Sequence, residues 1–226
     1  MKQFDNYKNI YKYLDYYCYS NYNNNAEIIR YKAIINLYKF LEEYLNITSI
    51  QFERLKFDRN DLDLISNKKI DTFEDELKFT RIFADIHFLL VSIEKSYNII
   101  IELYNQLLLQ EKSISIKTSS DYKLKKQLRN KIEHMDEYII KPSTLFHDNW
   151  FVRDSFTLTN NTFKLGKYEF ELSESNLSLL YHYYDEITLI LTKDYVQPVR
   201  ENVDRILSSI KEDLKANYIH TKNCKE

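Results

Sequence analysis

The chain has 226 residues, of which 44% are hydrophobic and 29% are charged, and its formal net charge is -2. This length is enough for one core, or for one core with an appendage, so we expect a single domain over residues 1–226. The small net charge provides no overall basic field, and a nucleic-acid site would therefore have to be a local patch. The single glycine, Gly166, excludes Gly-rich phosphate-binding loops of the P-loop and Rossmann types.

The cysteines and the N-terminal residues limit which cofactors and which cellular location can be expected. Cys18 and Cys224 are too far apart in the chain to form a zinc-binding or redox motif. We therefore expect no metal and no other cofactor, and free thiols in a reducing cytoplasm. The residues up to Ser20 are polar and contain no apolar signal-peptide core. Charged residues interrupt the longest apolar stretch, 86–101, so we expect no membrane span.

Apolar residues recur at helical spacing over most of the chain. We expect a short helix within a Tyr- and Asn-rich N-terminal extension (residues 1–25) and a helix over about 26–46. A loop with a short helical turn should follow over 47–70. Asp71 and Glu74 then form a capping-box pattern, which begins a long helix with an apolar stripe as far as Leu108. A polar break over 113–120 separates this helix from one over about 121–140.

Residues 148–172 alternate between apolar and polar side chains, which predicts a small β-hairpin insertion. Asn160-Asn161 suit a two-residue turn. The alternation changes phase at Gly166-Lys167, which indicates a bulge or a second turn. Two helices should follow, one capped by Ser173 and one near Pro198, and residues 218–226 should form a flexible tail. The predicted fold class is mainly α, a helical bundle with one β-hairpin.

The helix over 121–140 carries the segment Arg129-Asn130-Lys131-Ile132-Glu133-His134. Helical spacing places Asn130, His134 and Tyr138 on one line beside the apolar face. Arg129 lies roughly 140° away from His134 around the helix. A second copy of the segment, opposed across a two-fold axis, would complete a site that one helix leaves open.

The pattern Arg129-Asn130-x-x-x-His134 resembles the RNxxxH motif of the HEPN superfamily. These proteins are helical bundles, commonly dimeric, and many are metal-independent endoribonucleases of toxin–antitoxin, abortive-infection and CRISPR-associated defence systems. The resemblance implies a HEPN-like bundle, a homodimer, RNA as substrate, and an antitoxin or defence-system protein as partner. HepT-type toxins carry a tyrosine two residues after the histidine, where this chain has Asp136. Tyr138, one turn further, and Glu133 are accessory candidates.

The implied reaction is RNA cleavage by the neighbouring 2′-hydroxyl, which leaves a 2′,3′-cyclic phosphate and a 5′-hydroxyl. His134 can act as base or acid, because the ordinary histidine pKa is near 6.5. Arg129 offers a fixed charge and forked donors to phosphate oxygens. Asn130 can orient His134 or donate to the phosphate. The lysines expected to attract the RNA backbone are Lys125, Lys126 and Lys131.

Ordinary structural roles account for the same residues. Arg129 and Glu133, at i and i+4, can form a surface ion pair. His134 can be an interface histidine, Asn130 a packing amide, and the lysines a solvated face. His87 lies within the apolar stretch and is interpreted as a core histidine. The alternative functions are a non-catalytic HEPN-like module that binds nucleotide or protein, and a structural helical protein whose polar line is an oligomer seam.

Overall fold

The computed structural model describes residues 2–20, 25–57, 73–133, 156–159, 162–165 and 167–223. Its helices are α1 (Asn6–Ser20), α2 (Asn25–Phe57), α3 (Phe73–Gln106), α4 (Gln110–Thr118), α5 (Ser120–Glu133), α6 (Ser175–Leu191) and α7 (Arg200–Asn223). A π-helical turn, Thr192–Val196, and a 3₁₀ turn, Gln197–Val199, lie between α6 and α7. Strands β1 (Phe156–Thr159), β2 (Thr162–Leu165) and β3 (Tyr168–Glu171) form a small antiparallel sheet. The mainly helical class with a small β insertion is confirmed.

The chain divides into two compact units. The first comprises Met1–Phe4 and Leu37–Tyr184, and the second comprises Asp5–Asn36 and Asp185–Glu226. Helices α2 and α6 each contribute residues to both units. The predicted catalytic segment belongs to the first unit.

Helix α3 forms the centre of the first unit and packs against α4 and α5. Its apolar stripe is buried as the spacing predicts, through Ile82, Ile86, Leu89, Leu90, Ile93, Tyr97, Ile100, Ile101 and Tyr104. Small polar side chains allow α2 to pack against the same helix, because the buried hydroxyl groups of Thr48 and Ser92 lie 2.9 Å apart and hydrogen-bond. A buried chain of hydroxyls also joins α2 to α6: Tyr38 donates to Tyr184, which donates to Glu42.

Two predicted boundaries in this unit are wrong. Helix α2 does not end near Asn46 but continues to Phe57, because Phe52 and Leu55 extend its buried face. The expected polar break over 113–120 is instead occupied largely by helix α4, whose Ser113 and Ile116 are buried. In both places the sequence is polar and gives only a weak local indication of a helix. Tertiary packing stabilises the helix there despite that weak propensity.

The connection between α3 and α4 contains a left-handed residue, Leu108, with φ of 63°. The backbone N–H of Leu109 donates to the carbonyl of Tyr104, and that of Leu108 donates to the carbonyl of Asn105. These two bonds form a Schellman motif, which usually places glycine at the left-handed position. A leucine there is strained, since its Cβ crowds the backbone. Ser119 caps the start of α5, since its hydroxyl accepts the backbone N–H of Tyr122 at 3.2 Å.

The β insertion contains three strands, with β2 at the centre. The pairing of Thr159 with Thr162 places a two-residue connection where a turn was predicted, although residues 160 and 161 lie outside the described ranges. Leu165 on β2 pairs with Tyr168 on β3 in antiparallel fashion. Of the two alternatives predicted near Gly166-Lys167, this pairing agrees with a second turn and not with a bulge. Phe163 and Phe170 are paired across β2 and β3 and are both buried. Strand β3 contacts α5, so the sheet flanks the helix that carries the candidate site.

The second unit contains α1, the start of α2, the π-helical turn and α7. Tyr13 on α1 donates a hydrogen bond of 2.8 Å to the carboxylate of Asp204 on α7. The rings of Tyr17, Tyr31 and Tyr195 pack edge to face at 5.0–6.0 Å between centroids. Helix α7 continues to Asn223, past the start of the predicted tail.

Candidate functional site

Helical spacing predicts Leu124, Leu128 and Ile132 on the core face of α5. Leu128 and Ile132 are buried as expected, but Leu124 is only half-buried and Tyr122 and Lys125 are buried, so the core face is rotated towards Lys125. Gln127 is exposed and Asn130 is half-buried, as expected for a polar line beside the core face. The remaining members of that line, His134 and Tyr138, lie outside the described residues. The predicted arrangement of Arg129 with His134 therefore stays a prediction.

Arg129 makes a polar contact through each of its three guanidinium nitrogens. Its Nε lies 3.0 Å from Glu94 Oε2 on α3, and one terminal nitrogen, Nη2, lies 2.8 Å from Glu133 Oε2. The other terminal nitrogen, Nη1, donates a hydrogen bond of 2.8 Å to the side-chain oxygen of Asn130. The i, i+4 ion pair between Arg129 and Glu133 was one of the structural roles considered for this segment.

Burial distinguishes the two carboxylates that hold Arg129. The Glu94 side chain is 7% exposed, whereas that of Glu133 is 29% exposed and that of Arg129 is 21% exposed. The contact of Glu94 with Nε is an ion pair and not a hydrogen bond, because these two atoms have no well-aligned partner among the described residues. A buried carboxylate requires a nearby positive charge, so Arg129 compensates Glu94.

His87 on α3 lies beside the same group. The His87 side chain is 31% exposed, and its Nε2 is 4.0 Å from Glu133 Oε1. The Nε2 atom itself is buried and has no hydrogen-bond partner in the described part of the chain. Burial lowers the pKa of His87, the Glu133 carboxylate raises it, and the Arg129 guanidinium lowers it further. We call Arg129, Asn130, Glu133, Glu94 and His87 the Arg129 cluster. Because the net effect is a lowered pKa, His87 is mainly neutral at pH 7.

The three lysines predicted to bind phosphate occupy different environments. Lys126 is exposed, and the Lys131 ammonium lies 5.6 Å from the centre of the Tyr168 ring. Lys125, in contrast, is 1% exposed: its ammonium donates to Asp121 at 2.8 Å and to the carbonyl of Asn176 at 2.9 Å. Burial lowers its pKa, which the Asp121 carboxylate partly offsets. This placement does not suit the phosphate-binding role predicted for Lys125, since its donors face protein acceptors.

Lys125 belongs to a polar junction between α3, α5 and the start of α6. Asp121 accepts a short hydrogen bond from the Tyr97 hydroxyl in addition to the one from Lys125. Burial and the Asp121 carboxylate both raise the pKa of Tyr97, so the phenol stays protonated. The Tyr122 hydroxyl donates to Asn98 at 2.9 Å beside this group. These contacts fix α5 on α3 and thereby position the Arg129 cluster.

Sequence reasoning missed Glu94 and, in part, His87. Glu94 was noted only as a charged residue that interrupts an apolar stretch, and His87 was interpreted as a core residue. His87 and Glu94 are seven residues apart, two helical turns, which places them on one face of α3. A buried acidic residue on the central helix signals a basic partner on a neighbouring helix. That signal does not identify Arg129 until α3 and α5 are paired.

The described residues contain no group of three or more His, Cys, Asp or Glu side chains that could bind a metal ion. Within the same ranges, every helix is too short or too polar to cross a membrane. Comparison with protein-family models, with curated proteins and with solved structures finds no match to this chain.

Proposed function

We propose that the protein is a metal-independent, HEPN-like endoribonuclease that acts as a homodimer, with Arg129, Asn130 and His134 as its catalytic residues. The observation that supports this most directly is the geometry of Arg129 and Asn130. The two side chains are hydrogen-bonded to each other on α5. The terminal guanidinium nitrogens of Arg129 contact Asn130 and Glu133, and Glu133 is more exposed than Glu94. The next residue after α5 is His134, so the imidazole follows directly along the chain.

In the proposed reaction, one His134 removes the proton of the 2′-hydroxyl, whose oxygen attacks the adjacent phosphorus. The bond from phosphorus to the 5′-oxygen breaks, and the second copy of His134 protonates that oxygen. Arg129 stabilises the negative charge on the phosphorane through forked hydrogen bonds. Lys126 and Lys131 attract the RNA backbone from the same helix. A toxin or defence role, with an antitoxin or defence-system partner in the cytoplasm, belongs to the same proposal.

A second candidate is a non-catalytic HEPN-like module that binds a nucleotide or a protein. The observation that favours it is that Glu94 and Glu133 already balance the charge of Arg129. A guanidinium that is paired with two carboxylates stabilises the contact between two helices. It attracts a phosphate less strongly than an unpaired guanidinium does. In this case the Arg129 cluster would fix the surface of α5, and His134 would contribute to recognition.

The experiment that separates the two candidates is a cleavage and binding assay on the full chain with RNA in excess EDTA. The variants are His134→Ala and Arg129→Lys, because lysine keeps the positive charge beside Glu94 but loses the fork. His182→Ala is the matched control, since His182 is an exposed histidine on α6. The nuclease proposal expects that wild type and His182→Ala cleave and that the other two variants lose at least about 100-fold in rate.

Circular dichroism of each variant shows whether the fold is retained. Wild-type protein that binds RNA without cleaving it, with binding weakened by Arg129→Lys, supports the binding module. Equal cleavage by wild type and folded His134→Ala overturns the nuclease proposal.

A further inference from the structure

The two edges of the Arg129 guanidinium differ in their surroundings. The Nε edge faces Glu94, which is 7% exposed and therefore fixed within the packed interface of α3 and α5. The edge formed by the two terminal nitrogens faces Glu133 and Asn130, which are both half-buried and lie on α5. A ligand that arrives from solvent can reach only the second edge without disrupting the core.

A phosphate group binds arginine best through two parallel hydrogen bonds, one to each of two neighbouring nitrogens. On Arg129 the two terminal nitrogens carry one carboxylate oxygen and one amide oxygen, Glu133 Oε2 and Asn130 Oδ1. Both nitrogens that a phosphate would use are therefore already in contact with protein oxygens. The Asn130 amide oxygen is neutral, whereas the Glu133 carboxylate carries the negative charge that a phosphate would bring.

We infer that the Glu133 carboxylate occupies the phosphate position on Arg129, and that an RNA phosphate binds there by displacing it. The identity of the ligand as RNA rests on the proposed function. The displacement itself depends only on the geometry of the Arg129 cluster. Glu133 thus weakens anion binding at rest, while Glu94 keeps the guanidinium in place throughout.

His87 provides a place for the displaced carboxylate. Its Nε2 is 4.0 Å from Glu133 Oε1 and has no hydrogen-bond partner among the described residues. A small rotation of the Glu133 side chain away from Arg129 would bring this oxygen within hydrogen-bond distance of the imidazole. The displaced carboxylate would then keep a polar partner, which lowers the free-energy cost of the exchange.

The test compares Glu133→Gln with wild type by two measurements on the full chain. The first is the rate at which phenylglyoxal modifies Arg129, read by peptide mass spectrometry, with and without inorganic phosphate. The second is RNA cleavage in EDTA. Arg54 is the internal control, because its partner is Asp85 and not Glu133. Glu169→Gln is the control variant, since Glu169 pairs with Lys164 on the sheet.

The inference expects Glu133→Gln to raise the modification rate at Arg129 by about 1.4- to 2.3-fold, the size of effect expected when one i, i+4 ion pair is lost. Phosphate should protect Arg129 more strongly in this variant, and Arg54 should be unaffected. An unchanged rate at Arg129, or a change equal to that in Glu169→Gln, overturns the inference whether or not RNA is cleaved. A raised rate with phosphate protection, but without cleavage by any variant, supports the inference and contradicts the nuclease proposal.

Discussion

Arg129 on α5 and Glu94 on α3 form an ion pair, with 3.0 Å between Nε and Oε2, in which the carboxylate is almost fully buried. This pair connects the predicted catalytic arginine to the core of the first unit. Removal of the arginine would leave a buried charge without compensation. Any loss of function in an Arg129 variant therefore combines a chemical effect with a structural one, and the two must be separated by design.

Arg129→Gln should lower the free energy of unfolding by about 2–4 kcal/mol, because Glu94 then lacks its cation. The double variant Arg129→Gln with Glu94→Gln removes both charges and should recover at least half of that loss. Urea unfolding of the wild type, both single variants and the double variant gives the coupling energy of the pair. Additive losses would show that the pair does not stabilise the interface of α3 and α5.

Lys125→Met should lower the free energy of unfolding by about 1–3 kcal/mol, because the Asn176 carbonyl and the Asp121 carboxylate each lose a donor. Lys126→Met is the matched control on the exposed side of the helix and should change stability by less than about 0.5 kcal/mol. Thermal and urea unfolding of the two variants check this contrast. Equal stabilities would mean that the buried ammonium is not a structural group.

Leu108→Gly should raise the free energy of unfolding by up to about 1 kcal/mol. Leucine is strained at φ of 63°, and glycine is not. Leu108 is also 66% exposed, so little packing is lost. Leu107→Gly, at the neighbouring position, serves as the control and should destabilise the protein. A loss of stability in Leu108→Gly would indicate that its side chain contributes packing that outweighs the strain.

His87 should make the protein less stable in mild acid. Burial lowers the pKa of His87 in the folded protein below the ordinary value of 6.5. The unfolded chain therefore binds more protons in this range, and stability is highest above pH 6.5 and falls as the pH drops towards the folded pKa. His87→Gln, which has no charge to gain, should show a shallower loss of stability between pH 7.5 and 5.5.

NMR titration of the imidazole resonances measures the pKa of His87 directly. The His87 resonance should titrate below 6.5 in the wild type, and lower still in Glu133→Gln, because the Glu133 carboxylate raises the pKa of His87. A His87 pKa above 6.5, or parallel stability curves for wild type and His87→Gln, would contradict the described environment.

Local periodicity was sufficient to predict the elements whose signal is strong. The stripe of α3, the burial of Leu128 and Ile132 on α5 and the presence of a β insertion all follow from spacing. Spacing left a bulge and a second turn as alternatives at Gly166-Lys167, so it did not decide that the insertion has three strands. The extension of α2 and the existence of α4 do not follow from spacing, because Thr48, Ser49 and Ser113 are polar residues that helices bury only when another helix supplies partners.

In the candidate site, too, the sequence predicts what is local to one helix and does not predict the contacts between helices. The sequence identified Arg129, Asn130 and Glu133 as one segment of one helix, since they are adjacent in the chain. It did not identify Glu94 and His87 as their neighbours, because those contacts depend on how α3 and α5 pair. It also grouped Lys125 with Lys126 and Lys131, although Lys125 is buried and the adjacent Lys126, about 100° further around the helix, is exposed. Charge and spacing alone do not distinguish these positions.

The measurement that tests the central claim most directly is the chemistry of the RNA ends after incubation with the purified full chain in excess EDTA. We expect cleavage that leaves 2′,3′-cyclic phosphate and 5′-hydroxyl ends, read by mass spectrometry of a defined oligonucleotide, and no such ends with His134→Ala. An oligonucleotide with 2′-O-methyl groups should remain intact, because the attacking hydroxyl is blocked. Intact RNA under these conditions, or ends with 3′-hydroxyl and 5′-phosphate, would contradict the proposed reaction.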